Sequence, residues 1–142
     1  MQSFTKIIGM GFIGLVILIS ACSQDKDYSK NFSEPNNAPT GAYDVAKYED
    51  GVFTGIGWSA DKEDGAPVKM VLVYVDGKAV GEAKVVIDRP DVVSVLKNDR
   101  ALKSGWKISV KIPLDKGHYS TMALCYDSKD ALKVVGKDFT VE

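Results

Sequence analysis

Apolar and polar residues alternate through much of the chain beyond residue 50. Trp106, Ile108, Val110, Ile112 and Leu114 fall on one side of an extended segment, with Lys107, Ser109 and Lys111 on the other. A period of two over that length predicts a half-buried strand. Val52, Thr54, Ile56 and Trp58 share one face of another. Val68 to Val75 is apolar on both faces, which suits a central strand covered on both sides. It runs into Asp76-Gly77, a two-residue hairpin signal, and then a strand from Lys78 to Ile87. Tyr119 to Tyr126 and Leu132 to Val141 supply two more, and turns are expected at Asp64-Gly65, Lys116-Gly117 and Asp127 to Asp130. From Asp88 to Leu96 the pattern changes: Val92, Val95 and Leu96 stand at helical spacing. Asp88 is placed to cap that helix, and Asp91 lies in its first turn, where a negative charge suits the dipole. This predicts a short helix crossing from one sheet to the other. Six or seven short strands in roughly 100 residues imply an all-β sandwich.

The first residues follow a different logic. Met1 to Lys6 carries the only charge before Asp25, and an apolar stretch from Ile7 to Ile19 is interrupted only by Gly9, Gly11 and Gly14. A basic start, a short apolar middle and small residues at the end describe a secretory signal, here residues 1–21. The stretch is shorter than the roughly 20 apolar residues that span a bilayer. Ile19-Ser20-Ala21-Cys22 then resembles the bacterial lipobox, which predicts acylation of Cys22 and anchoring in a lipid bilayer. Each buried CH₂ contributes about 0.8 kcal/mol, so several acyl chains on one residue hold firmly. Ser23, where an aspartate would signal retention, resembles the pattern of lipoproteins sent to the outer membrane, if the host has one. Residues 22–42 are polar and rich in Ser, Asn and Pro, without an apolar period. Such a segment buries too little surface to offset its ordering entropy and reads as a flexible linker. The folded domain is expected over 43–142.

Composition narrows the function. The chain has 18 basic and 19 acidic residues; without Met1 to Ala21, which holds Lys6 and no acid, it has 17 and 19. That near neutrality gives no basic patch for nucleic acid. With Cys22 acylated, Cys125 is left unpaired, so no disulfide joins the sheets and apolar packing must hold them. Cys125 is expected in the core as a small apolar residue. A catalytic thiol would want a histidine partner, and the one histidine, His118, lies seven positions away on the same expected strand.

Five short motifs occur in order: Gly57-Trp58-Ser59-Ala60-Asp61; Val73 to Gly81, reading VYVDGKAVG; Arg89-Pro90-Asp91-Val92; Ser104-Gly105-Trp106; and Gly117-His118. The set resembles an Ig-like module of bacterial envelope proteins, found as an accessory domain beside cell-wall amidases and other exported proteins. It covers nearly all of the expected domain. The resemblance implies an immunoglobulin-like β-sandwich and implies no activity and no functional residues. No enzyme accompanies the module in this chain, so any catalytic partner would be a separate protein.

Each candidate site also has a structural role open to it. Asp61, Glu63 and Asp64 before Gly65 loosely resemble a calcium loop, but the bidentate glutamate of such loops is missing and Lys62 sits among the acids, so a solvated turn is expected. Arg89 can pair with Asp91 to fix the crossover or grip an anionic ligand. Trp58 and Trp106 can stack sugars if exposed, although their alternation predicts core packing. His118 has no metal-ligand spacing around it, and no Ser–His–Asp order, phosphate-binding glycine loop or CxxC is present. The expectation is therefore no enzyme, no cofactor and no metal. It is an envelope lipoprotein that engages a protein partner or serves structurally, the alternative being a glycan- or peptidoglycan-binding lipoprotein.

Overall fold

The computed structural model describes residues 28–142; the signal segment and Cys22 lie outside them. Seven strands form the domain: β1 (Thr40–Glu49), β2 (Val52–Ala60), β3 (Met70–Val75), β4 (Lys78–Ile87), β5 (Gly105–Lys111), β6 (Gly117–Tyr126) and β7 (Leu132–Val141). All pair antiparallel in the order β1-β2-β5-β4-β3-β6-β7, and the outermost strands, β1 and β7, pack beside one another. This is an immunoglobulin-like sandwich, with β1, β2 and β5 in one layer and β3, β6 and β7 in the other. β4 belongs to both. Its first half pairs with β3 (Val71 opposite Ala83) and its second half with β5 (Lys84 opposite Lys107). The ladder shifts register near Val85, and a bulge of this kind bends a strand from one layer into the next.

The core lies between the layers. Phe53, Val71, Val73, Trp106, Ala123 and Cys125 are fully buried there, joined by Tyr43, Val75, Val135 and Phe139. Full burial of side chains such as Phe53 or Val71 is worth about 1.5–3 kcal/mol each. Phe53 meets Phe139 across the layers with ring centroids 5.2 Å apart, and Tyr119 stacks on Phe139 at 5.4 Å. A second bond between the layers is polar. The Tyr43 hydroxyl on β1 donates to Thr121 Oγ1 on β6 at 2.9 Å, because the Thr121 hydroxyl is itself committed to the Tyr74 carbonyl at 2.7 Å. Burial in this setting raises the Tyr43 pKa above its ordinary value, against the pull of the Thr121 bond.

Most expected elements are present. β4 and β7 run over the residues anticipated, and β3 is a central strand between β4 and β6. Asp76 and Gly77 both take positive φ, 47° and 80°, as a two-residue type I′ hairpin requires. Three readings change. The inward face of β2 carries Phe53, Gly55, Gly57 and Ser59, whereas Val52, Thr54, Ile56 and Trp58 are half-buried on the other side. The reason is room for neighbouring rings. A Cβ on Gly55 would stand 2.5 Å from the Tyr43 hydroxyl, and one on Gly57 would stand 2.4 Å from Trp106 Cζ2. Glycines there admit bulky groups from flanking strands, so the apolar alternation points away from the core.

The second change concerns the passage between layers. The helix, α1 (Pro90–Leu96), lies between β4 and β5 as expected, but β4 has already made the crossing. Its N-cap is Arg89, with Pro90 at the first position, where a missing N–H costs nothing. Asp88 instead pairs with Lys103 of the 3-10 helix Asp99–Lys103.

The third change is the boundary. β1 starts at Thr40, and residues 28–39, assigned to the linker by composition, lie against the domain. Phe32 meets the Tyr74 ring at 6.4 Å, and the Glu34 carboxylate accepts the Val134 N–H at 2.7 Å and pairs with Lys133 at 3.3 Å. Ala38 is buried. This segment shields the outer side of the β3–β6–β7 layer, where Met122 and Leu124 are buried. Glu34 also satisfies a backbone donor on β7 that would otherwise face outward from the sheet edge.

Candidate functional site

Three of the five motifs, those at 57–61, 89–92 and 104–106, converge at one end of the sandwich, where α1 docks; those at 73–81 and 117–118 lie toward the other. Trp58, on the outer face of β2, and Leu96 pack against buried Ala60, Val92 and Ala101. The backbone ties the same parts together: Arg89 N–H donates to the Leu102 carbonyl at 2.6 Å and Ser59 N–H to the Ser104 carbonyl at 3.1 Å. Gly105 is required beneath them, since a Cβ there would lie 2.8 Å from the Ile87 carbonyl oxygen and 2.9 Å from Arg89 Cγ.

Arg89 is the centre of this end. Its guanidinium grips Asp91 through two bonds, Nε to Oδ1 at 2.9 Å and Nη2 to Oδ2 at 2.7 Å, and gives Nη1 to Asp44 Oδ2 at 2.8 Å. Planar two-point pairing of this kind is the strong form of an arginine–carboxylate contact. Hydrogen bonding to Asp91 raises the Arg89 pKa most; desolvation opposes it, and the Asp44 bond and the charges of both carboxylates add to the rise. The reciprocal bond lowers Asp91 from 3.8 to about 2. Asp44 arrives by a β-bulge. The β1–β2 register places Tyr43 opposite Gly57 and Val45 opposite Ile56, so Asp44 is the extra residue, and the bulge turns it toward Arg89. The clamp thus ties β1 to the junction of β4 and α1, 45 residues along the chain.

This placement answers the question the sequence left open for Arg89. Two carboxylates occupy its fork, and its side chain is 18% exposed, so an ion-pair role replaces the anionic-ligand role. Trp106 is 0% exposed, and its ring meets Tyr43 edge-on at 4.9 Å, so it offers no sugar platform. Trp58 is half-buried beneath α1. Asp44 was missed because it stands next to the assigned linker. One signal was present: Tyr43, Ala46 and Tyr48, which pack on the core, are spaced three and then two apart, and the odd step marks an inserted residue.

The other candidates stay apart. Asp61 is buried, and its Oδ1 accepts the N–H groups of Glu63 at 2.7 Å and Asp64 at 3.1 Å. The acidic run is thus a self-bonded turn, closed by Gly65 at φ +76° and held by Asn98 Nδ2 on the Asp64 carbonyl at 2.9 Å. Among the described residues no group of three or more His, Cys, Asp or Glu is arranged to hold a metal ion. Asp127 repeats the device, accepting from Lys129 and Ala131 N–H at 2.8 and 2.9 Å. Cys125 faces the core from β6, and burial pushes its thiol up to about 12. His118 is exposed near the other end of β6 and shares a 2.9 Å bond with Thr140. Seven residues of strand at about 3.3 Å each separate the two, with side chains on opposite faces.

No protein-family model matches the chain, and no curated protein sequence matches it. Solved structures of similar shape include these two. One belongs to the fibronectin(III)-like modules of Clostridium thermocellum CbhA, at 16% identity and a TM-score of 0.43, covering 72% of this chain and 96% of that one. The other is the family 28 exopolygalacturonase of Yersinia enterocolitica, at 11% identity and a TM-score of 0.41, covering 74% of this chain and 20% of that one. The strand order and the layer-switching β4 carry the assignment of the fold: an immunoglobulin-like β-sandwich.

Proposed function

We propose that this protein is a lipid-anchored module of the bacterial envelope, held through acylated Cys22, that works without catalysis by engaging a protein partner or serving structurally. The observation that carries this reading is the commitment of each reactive candidate to holding the fold. Arg89 is filled by Asp44 and Asp91, Asp61 by its own turn, and Cys125 lies in the core far from His118. The run Ile19-Ser20-Ala21-Cys22 supplies the anchor, and Ser23 directs it to the outer membrane where the host has one. The likeness of the ordered motifs to Ig-like envelope modules agrees with an accessory role. The burial of Trp106 weighs against the glycan-binding alternative, whose aromatic row it was to supply.

Radiolabelled palmitate tests the anchor: the natural chain should take up label and Cys22→Ala should not. Label on the alanine variant would refute it. Affinity capture of the tagged full-length protein from detergent-solubilised envelopes, beside sedimentation with purified peptidoglycan, tests the role. A stoichiometric protein without co-sedimentation supports the interaction module. Co-sedimentation without a protein replaces it with a wall-binding one.

A further inference from the structure

The strap of residues 28–39 has a direction, and that direction fixes which end of the sandwich faces the lipid. Tyr28 lies at the β3–β4 hairpin, where a Cβ on Gly77 would come within 3.0 Å of its ring. Phe32 lies farther along, at Tyr74, and Glu34 farther still, at Lys133 and Val134 near the start of β7. Thr40 then pairs with Ala60 at the opposite end. The chain therefore enters beside the hairpin, climbs the outer side of the β3–β6–β7 layer, and turns over into β1. At the entry end stand the Asp50-Gly51 and Asp76-Gly77 turns, the 112–116 segment and the end of β7. At the far end stand α1, the Asp61–Gly65 turn and the Asp127–Asp130 turn.

Lengths decide the orientation. From Cys22 to Tyr28 is six residues, a reach of about 20 Å at roughly 3.3–3.6 Å per residue. The ten residues of β6 make the sandwich about 33 Å tall. With the strap in place, the far end cannot touch a bilayer that holds Cys22, because Tyr28 would then sit about 30 Å above it.

We infer that the domain stands on the lipid surface on its β3–β4 hairpin end, and that the strap, bound by Tyr28, Phe32 and Glu34, holds α1 and its flanking turns outward. This rests on the proposed acylation of Cys22. The outward end then faces a partner beyond the membrane, and it carries three of the five shared motifs, those at 57–61, 89–92 and 104–106. Val95 is displayed there, 74% exposed on α1.

The test uses the full-length acylated protein in vesicles of phosphatidylethanolamine and phosphatidylglycerol, with Cys125→Ser as background. One fluorophore is placed at Lys78→Cys on the hairpin or at Ser128→Cys on the far turn, and energy transfer is read to a headgroup dye. Transfer should be several-fold stronger from position 78 than from 128. The Phe32→Ala, Glu34→Ala double variant should bring the two closer together. Equal transfer from both positions in the natural strap, or stronger transfer from 128, overturns the orientation alone. Failure of the acylated protein to float with vesicles, or equal flotation of Cys22→Ala, overturns the anchoring on which it rests.

Discussion

Replacing Gly55 by alanine probes how β2 makes room for its neighbours, and its cost should depend on a single oxygen atom on the adjoining strand β1. The new Cβ would lie 2.5 Å from the Tyr43 hydroxyl, with Tyr43 Cζ at 3.2 Å and Ile108 Cγ2 at 3.3 Å. Tyr43 cannot swing aside cheaply: it is 6% exposed, edge-on to Trp106 and bonded to Thr121. Overpacking of this kind costs about 1–3 kcal/mol. Tyr43→Phe removes the oxygen and with it one buried hydrogen bond, at about 1 kcal/mol; Thr121 keeps its bond to the Tyr74 carbonyl. In the double variant the shortest remaining contacts are 3.2 and 3.3 Å, which small shifts absorb. The double variant should therefore lose less stability than the two single losses combined, by at least about 1 kcal/mol, a coupling within the range seen for touching residues. Thermal or urea denaturation of all four proteins reads it, with about 4 °C of Tm per kcal/mol. Strict additivity would mean that the hydroxyl is not what excludes a side chain at position 55.

Other outcomes follow from the clamp and the buried groups. Arg89→Met should lower stability by about 1–2 kcal/mol, because it removes a charge-assisted two-point pair and leaves Asp44 and Asp91 facing each other; an unchanged denaturation midpoint would deny the clamp its role. Asp91 has a lowered pKa, so its contribution is present above its ordinary value and is lost as pH falls from about 4 toward about 2. Asp91→Asn should flatten the stability profile over that window, and an identical acid slope would contradict it. Cys125, with its thiol pushed up to about 12 by burial, should stay unreactive to maleimide in the folded protein from pH 7 to 9 and react once denaturant unfolds it; ready labelling without denaturant would contradict its burial. Ser104 and Trp106 hold buried polar atoms with no hydrogen-bond partner among the described residues. Ser104→Ala should be neutral or slightly stabilising, and a loss above about 1 kcal/mol would reveal a partner.

Much of the sandwich was legible because its strands obey simple periods. Leu132–Val141 and Lys78–Ile87 could be bounded to the residue, and Asp76-Gly77 named its own turn. Two kinds of information were not local. The inward face of β2 is set by rings on β1 and β5, so glycines at 55 and 57 read as gaps although they are the packed positions. Residues 28–39 look like linker by composition, and only Tyr74, Lys133 and Val134, brought together by long-range pairing, give Phe32 and Glu34 something to hold. The candidate residues were mostly found, but their roles depended on partners. The sequence offers Arg89 the neighbouring Asp91 as an ion-pair partner, but only the bulge at Asp44 supplies its second carboxylate.

The strap also governs how a tug on the anchor would be felt. A pull toward the bilayer at Tyr28 runs along the axis of residues 28–39, so the Phe32 ring contact and the Glu34 bonds are loaded together rather than one after another. They must slip before tension reaches Thr40 at the head of β1. Twelve residues reach about 40 Å when extended and already span about 30 Å, so they would then pay out about 10 Å of slack. The sandwich beyond would stay folded, so that strain between membrane and partner is absorbed by the leash before it is carried by the core.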